Sequence, residues 1–174
     1  QSAALKLQLV TAEDANWPVG LDDLQDSAPA LLFIEGESAT LTKLSQGVSI
    51  VGSRVATSYG LQVTSTLVRE LAQVARPTVS GGAVGIDAQV HRSSIVQNLP
   101  TVAVMAGGMD RKYPSANFKL FKQISNQGVL LSEMPPGVAP TRWRFLQRNR
   151  LIAALTPTTV VIEAGIRSGS IRTA

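Results

Sequence analysis

A chain of 174 residues with 44% hydrophobic residues and a mean hydropathy of +0.14 can bury one packed core, which excludes a disordered protein. No apolar run reaches membrane-spanning length, the lack of cysteine excludes disulfide and thiolate chemistry and suits the cytoplasm, and one histidine excludes a zinc site built from several. The net charge of +4 is laid out unevenly: residues 1–47 hold two bases and seven acids, residues 105–150 eight bases and two acids, so a polyanionic partner is expected.

Residues 1–16 are polar and read as a linker or the tail of a preceding module, with the domain over 17–174. Trp17 to Leu21 and Ala28-Pro29-Ala30 are turn-rich, and Leu31–Gly36 reads as a short strand. Val48–Gly52 is a buried strand, and Thr57 or Ser58 caps a helix over about 59–75 with Val63, Leu67, Leu71 and Val74 on one face. A strand at 78–80 leads into a helix ending near Gln97. A third strand at 101–106 ends at Gly107-Gly108. Asn117 starts a helix carrying Phe118, Phe121 and Ile124, with Gly128 at its C-terminal end. Val129–Leu131 is a strand, a Pro-rich loop follows, and a helix over about 143–155 with Phe145, Ile152 and Leu155 leads to a last strand at 158–163. A final glycine loop, 165–169, precedes a helix starting at Ser170.

Continuous apolar strands alternating with helices mean an α/β chain: a Rossmann-like parallel sheet with helices on both faces. The right-handed crossover rule puts the strand C-termini on one edge, where open α/β sheets bind ligands. Ser80-Gly81-Gly82 and Gly85, ahead of the helix with Ile86, Val90 and Ile95, form the most informative loop there. Glycines allow close backbone approach, and the free N–H groups of a helix's first turn favour a phosphate. One such loop can be a plain turn; its repetition along the edge, with interleaved Arg and Lys, points to a phosphate-binding crevice.

These motifs closely resemble the DNA-processing protein A family (DprA, also called Smf). Val51-Gly52-Ser53-Arg54 with Tyr59-Gly60 resembles one family element, and Ser80 to Asp87 with His91 another. Gly107, Asp110, Tyr113-Pro114 and Asn117 match a third; Ser132 to Gly137, Arg148-Asn149-Arg150 and Glu163 to Ser170 complete the series in family order. Val84 and Gly82 depart from the common Arg and Leu. The resemblance implies a non-enzymatic protein, without cofactor or metal, that binds single-stranded DNA and helps load the RecA recombinase in natural transformation. It also implies that the chain is truncated at its C-terminus, before elements implicated in homodimerisation. An alternative from a related fold is a nucleotide-processing enzyme resembling phosphoribohydrolases, for which Asp87 and Glu163 would be the carboxylate pair.

Arg54 leaves a buried strand directly into the crevice and is expected to grip a phosphate. Gly52, Ser53, Ser80, Gly81, Gly82 and Gly85 are expected to let the backbone approach it. Arg111 and Lys112 are backbone-contact candidates, with Asn117 in the same element. Tyr113 is a stacking candidate; Phe118 is another, although its helical spacing with Phe121 favours the core. Arg148 and Arg150 are two apart, so at most one enters the crevice, and Asn149 between them suits a loop carbonyl. Arg167, Ser168, Gly169 and Ser170 make a second phosphate nest. His91 reads as a core hydrogen-bonder. At least three bases, namely Arg111, Lys112 and one of Arg148 or Arg150, are expected around the crevice, with the acids of residues 13–37 away from its mouth.

Overall fold

The computed structural model describes residues 6–165, 169–171 and 173. Seven strands form one sheet: β1 (Gln8–Val10), β2 (Leu32–Gly36), β3 (Val48–Gly52), β4 (Thr78–Ser80), β5 (Thr101–Val104), β6 (Val129–Ser132) and β7 (Thr159–Ile162). Their order is β1-β2-β6-β5-β4-β3-β7. The five strands from β6 to β7 run parallel, and each inner one is buried throughout, its Ser and Thr residues included, because helices cover both faces. The sheet is mixed, however: β2 pairs antiparallel with β6, and β1 antiparallel with β2. β1 lies in polar sequence that gives no pattern, and it buries a single residue, Val10, after two exposed ones.

Four helices connect the parallel strands: α1 (Ser58–Gln73), α2 (Ile86–Val96), α3 (Phe118–Gln127) and α4 (Arg142–Ala154). α1, α2 and α3 pack side by side on one face, over Ile50, Ile86, Val90, Phe121 and Leu130. α4 covers the other face with the 3₁₀ turns at Val19–Ser27 and Ser38–Gln46, burying Trp17, Leu21, Leu41, Leu151 and Ile152 against Val51, Val79 and Val102. Successive strands β3 to β6 step in one direction, then β7 returns to the far side of β3. α1, which follows β3, and α4, which precedes β7, lie on opposite faces, and a cleft opens at that switch point.

Two packing expectations change. On α1 the fully buried residues are Gly60, Thr64, Val68 and Leu71, with Val63 and Leu67 at the margin and Val74 exposed beyond the last turn. The small polar Thr64, its hydroxyl bonded to the Gly60 carbonyl at 2.7 Å, occupies the centre of the face. Phe118 is not core: it is 61% exposed at the start of α3, where Leu120, Phe121 and Ile124 face inward. Residues 169–171 form a turn, and Arg167 and Ser168 lie outside the described residues.

Candidate nucleic-acid interface

The cleft at the switch point has a volume of about 800 Å³. Gly52 lines it from the end of β3, Ser53, Arg54 and Val55 from the loop that follows, Ala83 from the loop after β4, Asp87 from the first turn of α2, and Gly169, Ser170 and Thr173 from the chain end. Tyr113 and Pro140 close one side. The remaining wall is α4, through Arg142, Phe145, Leu146, Arg148, Asn149 and Ile152. These α4 positions recur at intervals of three and four, the spacing of one helix face. That spacing was available in the sequence. It would have nominated Arg142 and Phe145, which the reading of motifs passes over.

Phe145 is the centre of this wall. The Tyr113 ring meets it edge-on at 5.7 Å between centroids, and the guanidinium of Arg54 lies 5.6 Å and that of Arg148 5.9 Å from its ring centroid. Cations at such distances are attracted to the ring face and are held beside an aromatic surface. Arg54 is exposed and Arg148 is only 5% exposed. Arg148 donates to the carbonyls of Gly81, at 2.7 Å, and of Val104. Burial lowers its pKa to about 10, opposed by the Asp87 charge, so it remains a cation at neutral pH. Burial likewise pushes the Asp87 carboxyl above its usual range, opposed by Arg148 and by the N–H of Ala83 at 3.3 Å. Gly81 sits between the two: a Cβ there would lie 2.6 Å from Arg148 Nη2 and 2.7 Å from Asp87 Oδ2.

The glycine loop itself is a packing device more than an open cradle. The first N–H of α2, from Ile86, donates to the Ser53 carbonyl at 3.0 Å and is not free for a phosphate. Gly81, Gly82 and Gly85 do not line the cleft; Gly85, at φ +81°, is pressed against the carbonyls of Ser53 and Arg54. Ser80 is buried with its hydroxyl on the Ile50 carbonyl at 2.6 Å, and buried Asn117 donates to the carbonyls of Gly82 and Ala83 at 3.0 and 3.2 Å. These residues shape the cleft from behind.

The bases also differ from expectation. Lys112 is turned onto Glu35 in a 2.7 Å ion pair, Arg150 onto Glu133 at 2.6 Å, and Arg111 lies 3.7 Å from Asp110; none lines the cleft. Each has a nearer acid, one of them from the acidic N-terminal segment. Among the described residues three bases do surround the cleft, but they are Arg54, Arg142 and Arg148, and Asp87 is the only acid among those that line it. Asn149 donates to the Gly169 carbonyl at 3.2 Å, and the Ser170 hydroxyl to that of Gly52 at 2.8 Å, tying the chain end to the cleft.

The other conspicuous groups are occupied. Glu163 accepts from the N–H of Thr57 at 2.8 Å and from its hydroxyl, which holds the Glu163 carboxyl below its usual range and supplies an anion at the N-terminus of α1. His91 is fully buried, its Nδ1 2.8 Å from the Thr101 hydroxyl, and burial followed by the Arg148 charge lowers its pKa to about 3. Among the described residues no group of three or more His, Cys, Asp or Glu is placed to hold a metal ion.

This architecture has close counterparts. Residues 8–174 match the family described as DNA recombination-mediator protein A. DNA processing protein DprA of Bacillus subtilis is 36% identical over 168 residues, covering 97% of this chain and 56% of its own length. The crystal structure of DNA processing protein A from Streptococcus pneumoniae superposes with a TM-score of 0.89 at 36% identity, covering 97% of this chain and 58% of that one. DNA processing protein A from Helicobacter pylori, whose structure describes a single-stranded DNA binding mode, superposes with a TM-score of 0.85 at 33% identity over 97% and 75% of the two chains. The chain thus spans about half the length of the curated relatives it matches. On the family match over nearly its whole length, and on likeness in both sequence and fold, this chain belongs to the DNA recombination-mediator protein A (DprA/Smf) family.

Proposed function

We propose that this chain is the single-strand DNA-binding part of its protein, acting without catalysis and without a cofactor. The observation that carries the reading is the convergence of Arg54, Arg142 and Arg148 on a cleft floored by Phe145 and Tyr113. Guanidinium groups hold phosphates, and an aromatic face takes any base, so the pair of features suits a single strand of arbitrary sequence. The strand-binding mode described for the Helicobacter pylori relative supports the same reading. On this proposal it would work in the cytoplasm as a homodimer, protecting incoming strands and assisting RecA loading during natural transformation. Arg167 and Ser168 belong to this proposal from sequence alone.

The carboxylates are poor candidates for hydrolysis. Glu163 is engaged by Thr57, and Asp87 is buried beside Arg148. Fluorescence anisotropy of labelled oligo(dT), against duplex of equal length and beside a nucleotide-hydrolysis assay, tests the function. Preferential single-strand binding without turnover is expected. Turnover of a nucleotide, with no affinity for oligo(dT), would replace this reading with the nucleotide-processing one.

A further inference from the structure

Trp143 is a large aromatic side chain that the core does not use: it is 66% exposed in the first turn of α4, directly after the cleft residue Arg142. Thr141 caps this helix by accepting from the Arg144 N–H at 3.3 Å, and Arg144 itself donates to the Ala139 carbonyl at 2.9 Å, so the turn is well anchored. The turn contains Arg142 and Arg144 and no acid. Positive side chains there add to the positive end of the helix dipole, an arrangement unfavourable unless an anion is nearby. Helix side chains lean toward the N-terminus, the end of α4 at which Pro140 and Arg142 line the cleft.

We propose, on the strength of the single-strand reading above, that Trp143 is a second stacking station. A strand leaving the cleft passes over the first turn of α4, its phosphates beside Arg142 and Arg144 and one base on the indole. The cleft holds one part of the strand and Trp143 the next, so the site is longer than the cavity. The occupant is a nucleobase in a negatively charged chain, which suits an aromatic flanked by two arginines better than an apolar protein surface would.

Intrinsic fluorescence isolates this residue, because the only other tryptophan of the chain, Trp17, is 7% exposed with its Nε1 on Asp22 at 2.9 Å. The protein is titrated with oligo(dT) of increasing length while anisotropy of the labelled oligonucleotide reports binding independently. Oligonucleotides long enough to leave the cleft are expected to quench the emission, and the quenching should vanish in Trp143→Phe, which keeps a stacking ring and should bind long strands more tightly than Trp143→Ala. Trp143→Ala should lose roughly five- to hundredfold in affinity for long strands, the cost of one lost stacked base, and nothing for the shortest. Long strands that bind with unaltered emission, or equally tightly to Trp143→Ala, would overturn the station while leaving the cleft intact. Emission that responds to protein concentration and not to DNA would overturn it in favour of a contact between copies. Absence of binding in the anisotropy arm would instead remove the single-strand reading, and this inference with it.

Discussion

Arg148 belongs to the core and to the cleft at once. Its guanidinium joins the loop after β4 to the end of β5 through two carbonyls, and it balances the buried Asp87 charge while facing Phe145. The sequence limits Arg148 and Arg150 to one inward-facing residue through their spacing. It does not say which, because that depends on Glu133 capturing Arg150. His91 is the neighbouring case, and it makes a pH prediction. Its pKa is about 3 in the fold against 6.5 in an open chain, because burial, followed by the charge of Arg148, disfavours the imidazolium. The unfolded chain therefore takes up a proton as pH falls through 6.5, and the folded chain does not until about 3. Stability is thus lost across that window as pH falls. Between pH 6.5 and 5, before most carboxylates protonate, the unfolding free energy should fall by roughly 1.5 kcal/mol. Urea titrations should show this decline in the native chain and a flatter profile in His91→Asn.

At the level of elements, the strand–loop–helix order was readable because buried parallel strands are continuous apolar runs and each ends in small residues. Faces were less readable. α1 hides Thr64 in its contact, and α4 directs toward the cleft a face of Arg, Phe and Asn that no hydrophobic count would select. The edge strand β1 was illegible, since three residues with one inward side chain carry no period. The glycine loop was correctly located but its purpose differs: its glycines permit contact between protein segments. Gly85→Ala would place a methyl group against the Ser53 carbonyl at a left-handed φ of +81°. A loss of about 3 kcal/mol or more is expected from strain and overlap together. Because Ser53 and Arg54 line the cleft, strand affinity should fall in whatever fraction still folds. Gly165→Ala, with nothing among the described residues within 4 Å of the added carbon, is the control and should retain native stability in the same denaturation assay.

For the whole molecule the uneven charge along the sequence proves a poor map of the uneven charge in space. Glu35, from the acidic segment, neutralises Lys112, and Glu133 neutralises Arg150, so much of the basic block is already satisfied. The cleft gathers its cations from two separate places, the loop after β3 and the face of α4. Acids elsewhere on the domain are screened from it over about 8 Å at physiological salt. Binding measured against salt concentration should separate the two groups. Arg54→Ala and Arg142→Ala should each reduce the log–log slope by about 0.7, one phosphate contact on a single strand. Lys112→Ala should leave the slope unchanged; an equal reduction there would mean that Glu35 releases its partner to the DNA.

The order of the sheet ends at β7, which among the described residues pairs only with β3. Along its outer side the backbone of Thr159–Ile162 presents donors and acceptors with no strand opposite, and the four residues contain neither a lysine nor a proline to discourage pairing. A rim of this kind is adhesive: it accepts another extended segment in register, whether from its own chain or from a neighbour. Prepared as these 174 residues alone, the protein should therefore sediment as a concentration-dependent mixture of monomer and larger species. A single monomeric boundary at every concentration would show that the rim is covered.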